Sequence, residues 1–148
     1  MDQMLVNRMR EYFDAGLAMD VERLDALYDP QFENLRFDEA GRVVSLTKEQ
    51  FMARFRALRA QGQRVGESTD DVDFLATSVY GDHASIFMRR VKDGVPVLYD
   101  FVWRLEGGRP ATILREFTFD KDISRLAEMV RAAGERATTD QGTGSGIA

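Results

Sequence analysis

The sequence predicts one α+β domain: a cone-shaped, curved antiparallel sheet with three N-terminal helices packed on its concave face and a C-terminal helix. Three observations predict it. Up to about residue 61 apolar side chains recur at helical spacing; from about residue 64 they recur at every second position; and "GD" at 81, "DG" at 93 and "GG" at 107 cut that second half into four strands.

Leu5, Met9, Tyr12, Phe13, Gly16 and Leu17 give residues 3–18 one apolar stripe on an otherwise charged helix. Asp20 is placed to cap a second, short helix carrying Val21, Leu24, Leu27 and Tyr28, which Pro30 stops. "FENLRF" and "RVVSL" flank "DEAG" and read as a short hairpin. Thr47 with Gln50 three residues on is a capping-box pattern, and Phe51, Met52, Phe55 and Leu58 form the buried side of a third helix that Gly62 ends. The strands, roughly 66–80, 83–92, 95–106 and 109–119, exceed the usual length of about five or six residues, so the sheet must bend or bulge, and a bent sheet curls. Ile123, Leu126, Met129, Val130 and Ala133 make the stripe of a closing helix. The domain is expected over 1–137, and the Gly-, Ser- and Thr-rich residues 138–148 read as a disordered tail.

A chain of 148 residues, 44% of them hydrophobic, is the size of one ordinary domain. With no cysteine, disulfides, thiolate metal sites and cysteine nucleophiles are excluded, and a reducing cytoplasm is the simplest setting. His83 is the only histidine, which argues against zinc, and no metal or cofactor is expected. No apolar run approaches the ~20 residues of a membrane span, and the charged start lacks a signal peptide's apolar region. A net charge of -5 argues against a nucleic-acid partner, and the basic stretch from Arg54 to Arg64 has no interleaved aromatics on its surface.

The order of helix, short helix, hairpin, third helix, four long strands and last helix resembles the nuclear transport factor 2-like superfamily, which includes SnoaL-like proteins, ketosteroid isomerase and the lumazine-binding group. The resemblance spans about residues 3–130 and rests on "YFDAGLAMDVERLDALYDPQF", "VYGDHASIFM" and "LYDFVWRLEGGRPATILREFTFD". It implies the cone fold; activity does not follow, since the superfamily holds isomerases, dehydratases, cyclases, hydrolases and transport adaptors. Aligning Asp20 with the acid that opens the second helix of ketosteroid isomerases puts Tyr12 on their oxyanion tyrosine. It puts Arg36 where they carry the proton-moving aspartate and Phe101 near their second aspartate, so both carboxylates are missing, with Asp38 and Asp100 the nearest acids.

The expected ligand-binding set is Tyr12, Arg36, Phe55, Tyr99, Phe101, Trp103, Arg115 and Phe117 around a mostly apolar cavity. In "VPVLYDFVWRL" the odd positions are apolar, so Tyr99, Phe101 and Trp103 are assigned to the interior and Asp100 to the outer face with Leu98 and Val102. Arg115 alternates with Ile113 and Phe117 and is assigned inward; Ile86 and Met88 are assigned outward, unless a bulge reverses them. His83, beside a turn, is expected in solvent. The leading expectation is a homodimer formed through the sheet, each cone holding a small cyclic or aromatic ligand. The alternatives are an isomerase, dehydratase or polyketide-cyclase-like enzyme using Tyr12 and a nearby carboxylate, and a non-catalytic protein-binding adaptor. An open cavity with an ionisable group at its base supports the enzyme; a packed interior supports the adaptor.

Overall fold

The computed structural model describes residues 1–66 and 68–145, with side chains described to residue 134. The elements run α1 (Gln3–Leu17), α2 (Val21–Leu27), β1 (Tyr28–Asp38), β2 (Val43–Thr47), α3 (Lys48–Ala60), β3 (Asp73–Tyr80), β4 (His83–Lys92), β5 (Val95–Glu106), β6 (Arg109–Asp120) and α4 (Ser124–Ser145). Each of the first three helices begins at a side-chain cap. Asp2 accepts from the Leu5 N–H, Asp20 from the Arg23 N–H, and Thr47 and Gln50 cap α3 reciprocally. Helix α4 runs through most of the segment read from sequence as a tail, and residues 146–148 lie outside the described residues.

One six-stranded sheet has the order β2-β1-β6-β5-β4-β3. The hairpin turns follow from sequence. Asp93 and Gly94 have φ of 50° and 78°, and Gly107 and Gly108 have 58° and 77°, the paired left-handed geometry that matches the twist of two-residue hairpins. The sheet is mixed, however, because β1 lies parallel to β6. That pairing joins strands separated by the whole meander, and no local pattern announces it. The third helix follows the first hairpin, so only α1 and α2 precede the sheet. Strand β3 starts at Asp73, later than the expected residue 66.

Helices α1, α2 and α3 cover the concave face. Met9, Leu24, Phe32, Met52, Phe101, Trp103 and Ile113 meet there and are almost wholly buried. Ile86 and Met88 belong to this core, opposite Phe101 and Tyr99 across the β4–β5 ladder, contrary to their outward assignment. Directly paired residues share a face, so the buried aromatics of β5 fix the parity of β4. The convex face carries Leu98, Asp100 and Val102, flanked by Phe87 on β4 and by Phe117 and Phe119 on β6.

Candidate functional site: a polar floor in the cone

A cavity of about 700 Å³ opens between the C-terminal end of α1, the segment around residues 65–71 and the β4–β5 turn. Phe13, Leu24, Phe55, Met88 and Phe101 form its apolar wall. The expected mostly apolar lining is corrected by Arg36 and Glu116 on one side and by Asp71, Arg90, Lys92 and Asp93 toward the rim.

Of the eight residues expected at the site, Tyr12, Arg36, Phe55, Tyr99 and Phe101 line this space. Trp103 does face inward, but it is fully buried, with Nε1 donating to Met9 Sδ at 3.3 Å, so α1 covers it away from the cavity. Arg115 and Phe117 lie on the convex face. Val102 pairs with Arg115 whereas Trp103 pairs with Ile113, leaving Leu114 as the extra residue of a bulge. One inserted residue reverses every side chain beyond it. Arg115 therefore donates to the carbonyls of Gln31 and Leu114, each at 2.7 Å, and Phe117 stacks on Phe37.

The same bulge turns Glu116 inward. Sequence reasoning missed this residue because alternation was carried through from Ile113. The usable signal was the doubled pattern Ile113-Leu114 followed by Arg115-Glu116, two apolar then two charged residues where strict alternation allows neither. Glu116 is 6% exposed and accepts a hydrogen bond from Asn34 Nδ2; Asn34 Oδ1 in turn accepts from Arg36 Nε at 3.1 Å. The triad is set by the parallel ladder, in which Asn34 faces Glu116 and Arg36 faces Thr118. Burial raises the proton affinity of Glu116 above the ordinary carboxylate range, against the opposing pull of the Arg36 charge, the Asn34 bond and the Lys92 charge.

Three phenols stand near this acid. The hydroxyls of Tyr12 and Tyr28 are 2.5 Å apart, and both rings are buried. Tyr99 is 5% exposed and its hydroxyl bonds to no described residue. Burial raises all three phenol pKa values, with the Glu116 charge adding to each, so all remain donors near neutral pH. If Tyr28 donates to Tyr12, the Tyr12 proton is free for a ligand in the cavity that Tyr12 lines. Thr118, fully buried, has a hydroxyl with no partner among the described residues.

The other acids weighed from sequence lie elsewhere. Asp38 is held at about 2, first by the Ile123 N–H and then, against the cost of burial, by Arg42; it ties the β1–β2 turn to the start of α4. Asp100 sits on the convex face as expected, where burial lifts it to about 6 against a bond from Ser85. His83 pairs with Asp82 at 2.7 Å and stacks on Tyr80, away from the cavity lining. Among the described residues no group of three or more His, Cys, Asp or Glu side chains is arranged to hold a metal ion.

Compared by sequence, the chain matches no family model and no curated protein. Compared by structure, it is similar to several cone-fold proteins. An NTF-2-like protein of unknown function from Silicibacter pomeroyi is 15% identical with a TM-score of 0.56, over 76% of this chain and 90% of that one. An NTF2-like protein of unknown function from Shewanella baltica is 11% identical with a TM-score of 0.54, over 78% and 90%. An NTF2-like protein from Cytophaga hutchinsonii is 18% identical with a TM-score of 0.52, over 81% and 99%. The chain thus has the nuclear transport factor 2-like fold, the architecture its sequence resembles. At these identities the likeness extends to the fold alone, and chemistry must be argued from the cavity.

Proposed function

We propose that the cone binds a small cyclic or aromatic molecule and carries out acid–base chemistry on it, of the isomerase, dehydratase or SnoaL-like cyclase type. The observation that carries this reading is a buried carboxyl, Glu116, at the side of an open cavity that also presents phenolic donors. For a ring ketone, the Glu116 carboxylate takes a proton from the carbon beside the carbonyl, and the oxygen that gains charge receives hydrogen bonds from Tyr12 or Tyr99. Where the ring ketone carries a β,γ double bond, returning that proton to the γ carbon of the dienolate moves the double bond into conjugation and completes an isomerisation. The open interior weighs against the adaptor reading.

The chain's lack of cysteine supports a cytoplasmic setting, and no helix among the described residues is long and apolar enough to cross a membrane. The convex face, with Leu98 and Phe119 38% and 45% exposed beside Val102 and Phe117, supports a homodimer through the sheet.

Cyclic ketones and enones titrated in D₂O and followed by NMR test the function. Binding with exchange of the hydrogens beside the carbonyl is expected, and Glu116→Gln should bind but not exchange. Exchange undiminished in that variant contradicts the assigned chemistry, and absence of binding across the panel contradicts the site.

A further inference from the structure

Two cations border the cavity without a direct ion pair among the described residues. Arg36 uses Nε on Asn34, and among the described residues its terminal amino groups meet no acceptor and no carboxylate lies within ion-pair distance. Lys92, lining the same space from β4, makes no hydrogen bond or ion pair among those residues; its Nζ lies 5.3 Å from the centre of the Tyr99 ring. Arg90, two residues away, shows the contrast. It bonds to Asp71 at 3.1 Å and to the Ser68 carbonyl at 2.9 Å, so its charge is already answered. Glu116 is tied to Asn34 rather than to either free cation. Between Arg36 on β1 and Tyr99 on β5, the ladder places the unpartnered Thr118 hydroxyl. Arg36 is half-buried and Lys92 stands exposed at the mouth; Glu116 acts on both only at longer range, so their terminal donors are left for an anion that enters the cavity.

We propose that the cavity takes a ring-bearing carboxylate, whose anionic group is received by Arg36 and Lys92 while the ring lies against Phe13, Phe55 and Phe101. This rests on the reading of the cavity as a small-molecule site and names the class of molecule. It has a consequence for Glu116. The charged and titratable groups that act on it are Tyr12 from α1, Tyr28 and Arg36 from β1, Lys92 from β4 and Tyr99 from β5. Of these, Arg36 and Lys92 favour its ionised form, and a bound carboxylate offsets part of their fields, so binding raises the proton affinity of Glu116 and strengthens it as a base, with fractional proton uptake.

The test compares 2-naphthoate with 2-naphthamide, which share a ring and differ in charge, by isothermal titration calorimetry at pH 7 on the full chain. Naphthoate should bind at least tenfold more tightly. Arg36→Gln and Lys92→Gln should each remove most of that preference with little change in melting temperature, and Lys92, being at the mouth, can be replaced with little risk to folding. Repeating the titration in buffers of different ionisation enthalpy should reveal proton uptake in the parent that Glu116→Gln abolishes. Equal binding of acid and amide, or a preference that survives both cation replacements, overturns the carboxylate assignment and leaves the cavity's general role standing. Binding of neither compound overturns both.

Discussion

Replacing Tyr12 by phenylalanine removes one hydroxyl and leaves the ring in the α1 stripe. The hydroxyl it removes lies 2.5 Å from that of Tyr28, a residue only 1% exposed and not part of the cavity lining. Water cannot take over freely at Tyr28, so the change costs the hydrogen bond and also strands a buried polar group, about 2 kcal/mol within the roughly 1–3 kcal/mol typical of such losses. For a chain of 148 residues each kcal/mol lowers the melting temperature by about 2–4 °C, so a drop of about 4–8 °C is expected. Tyr28→Phe should cost a similar amount, whereas the double variant strands no hydroxyl and should cost clearly less than the two singles added together. Urea unfolding of the four proteins, with equal slopes, measures this directly. A Tyr12→Phe protein as stable as the parent, or a double variant whose cost equals the sum, would refute the buried pair.

Three further outcomes are expected. Asp100 has a folded-state pKa of about 6 against an ordinary 3.8, so its ionised form is penalised in the fold; the penalty is full above about pH 6 and absent below about pH 4. Asp100→Asn should therefore be more stable than the parent at pH 7.5, by about 1 kcal/mol after discounting the roughly 3 kcal/mol of a fully sequestered group, and the advantage should vanish by pH 3.5 in denaturation series. Thr47→Ala opens the capping box of α3 and should cost about 1 kcal/mol in urea unfolding. Leu98→Lys, on the convex face, should convert a dimer at micromolar concentration to monomer in sedimentation equilibrium, and a monomeric parent would remove the dimer from the account.

Much of the fold was legible because its signals are local. Thr47 and Gln50, Asp20 before Val21, and the Asp-Gly and Gly-Gly turns each place an element boundary within a few residues. What escaped was of two kinds. The parallel pairing of β1 with β6 is a contact between distant segments, and alternation within either strand is the same whichever neighbour it has. The bulge at Leu114 is a one-residue event, yet it exchanged Arg115 for Glu116 in the interior and so altered the chemistry of the site. Trp103 illustrates a further limit. Periodicity reports which face a side chain takes, but depth along the cone depends on what the helices fill, and Met9 fills the space over Trp103.

Glu116 is a buried carboxyl of raised proton affinity that lines the cavity, and carbon-13 NMR of the glutamate side-chain carboxyls, assigned with Glu116→Gln, measures that affinity. The titration midpoint of Glu116 should lie above the ordinary 4.5 in the free protein and rise further when 2-naphthoate is bound. A midpoint at or below the ordinary value, unmoved by the ligand, would contradict the account.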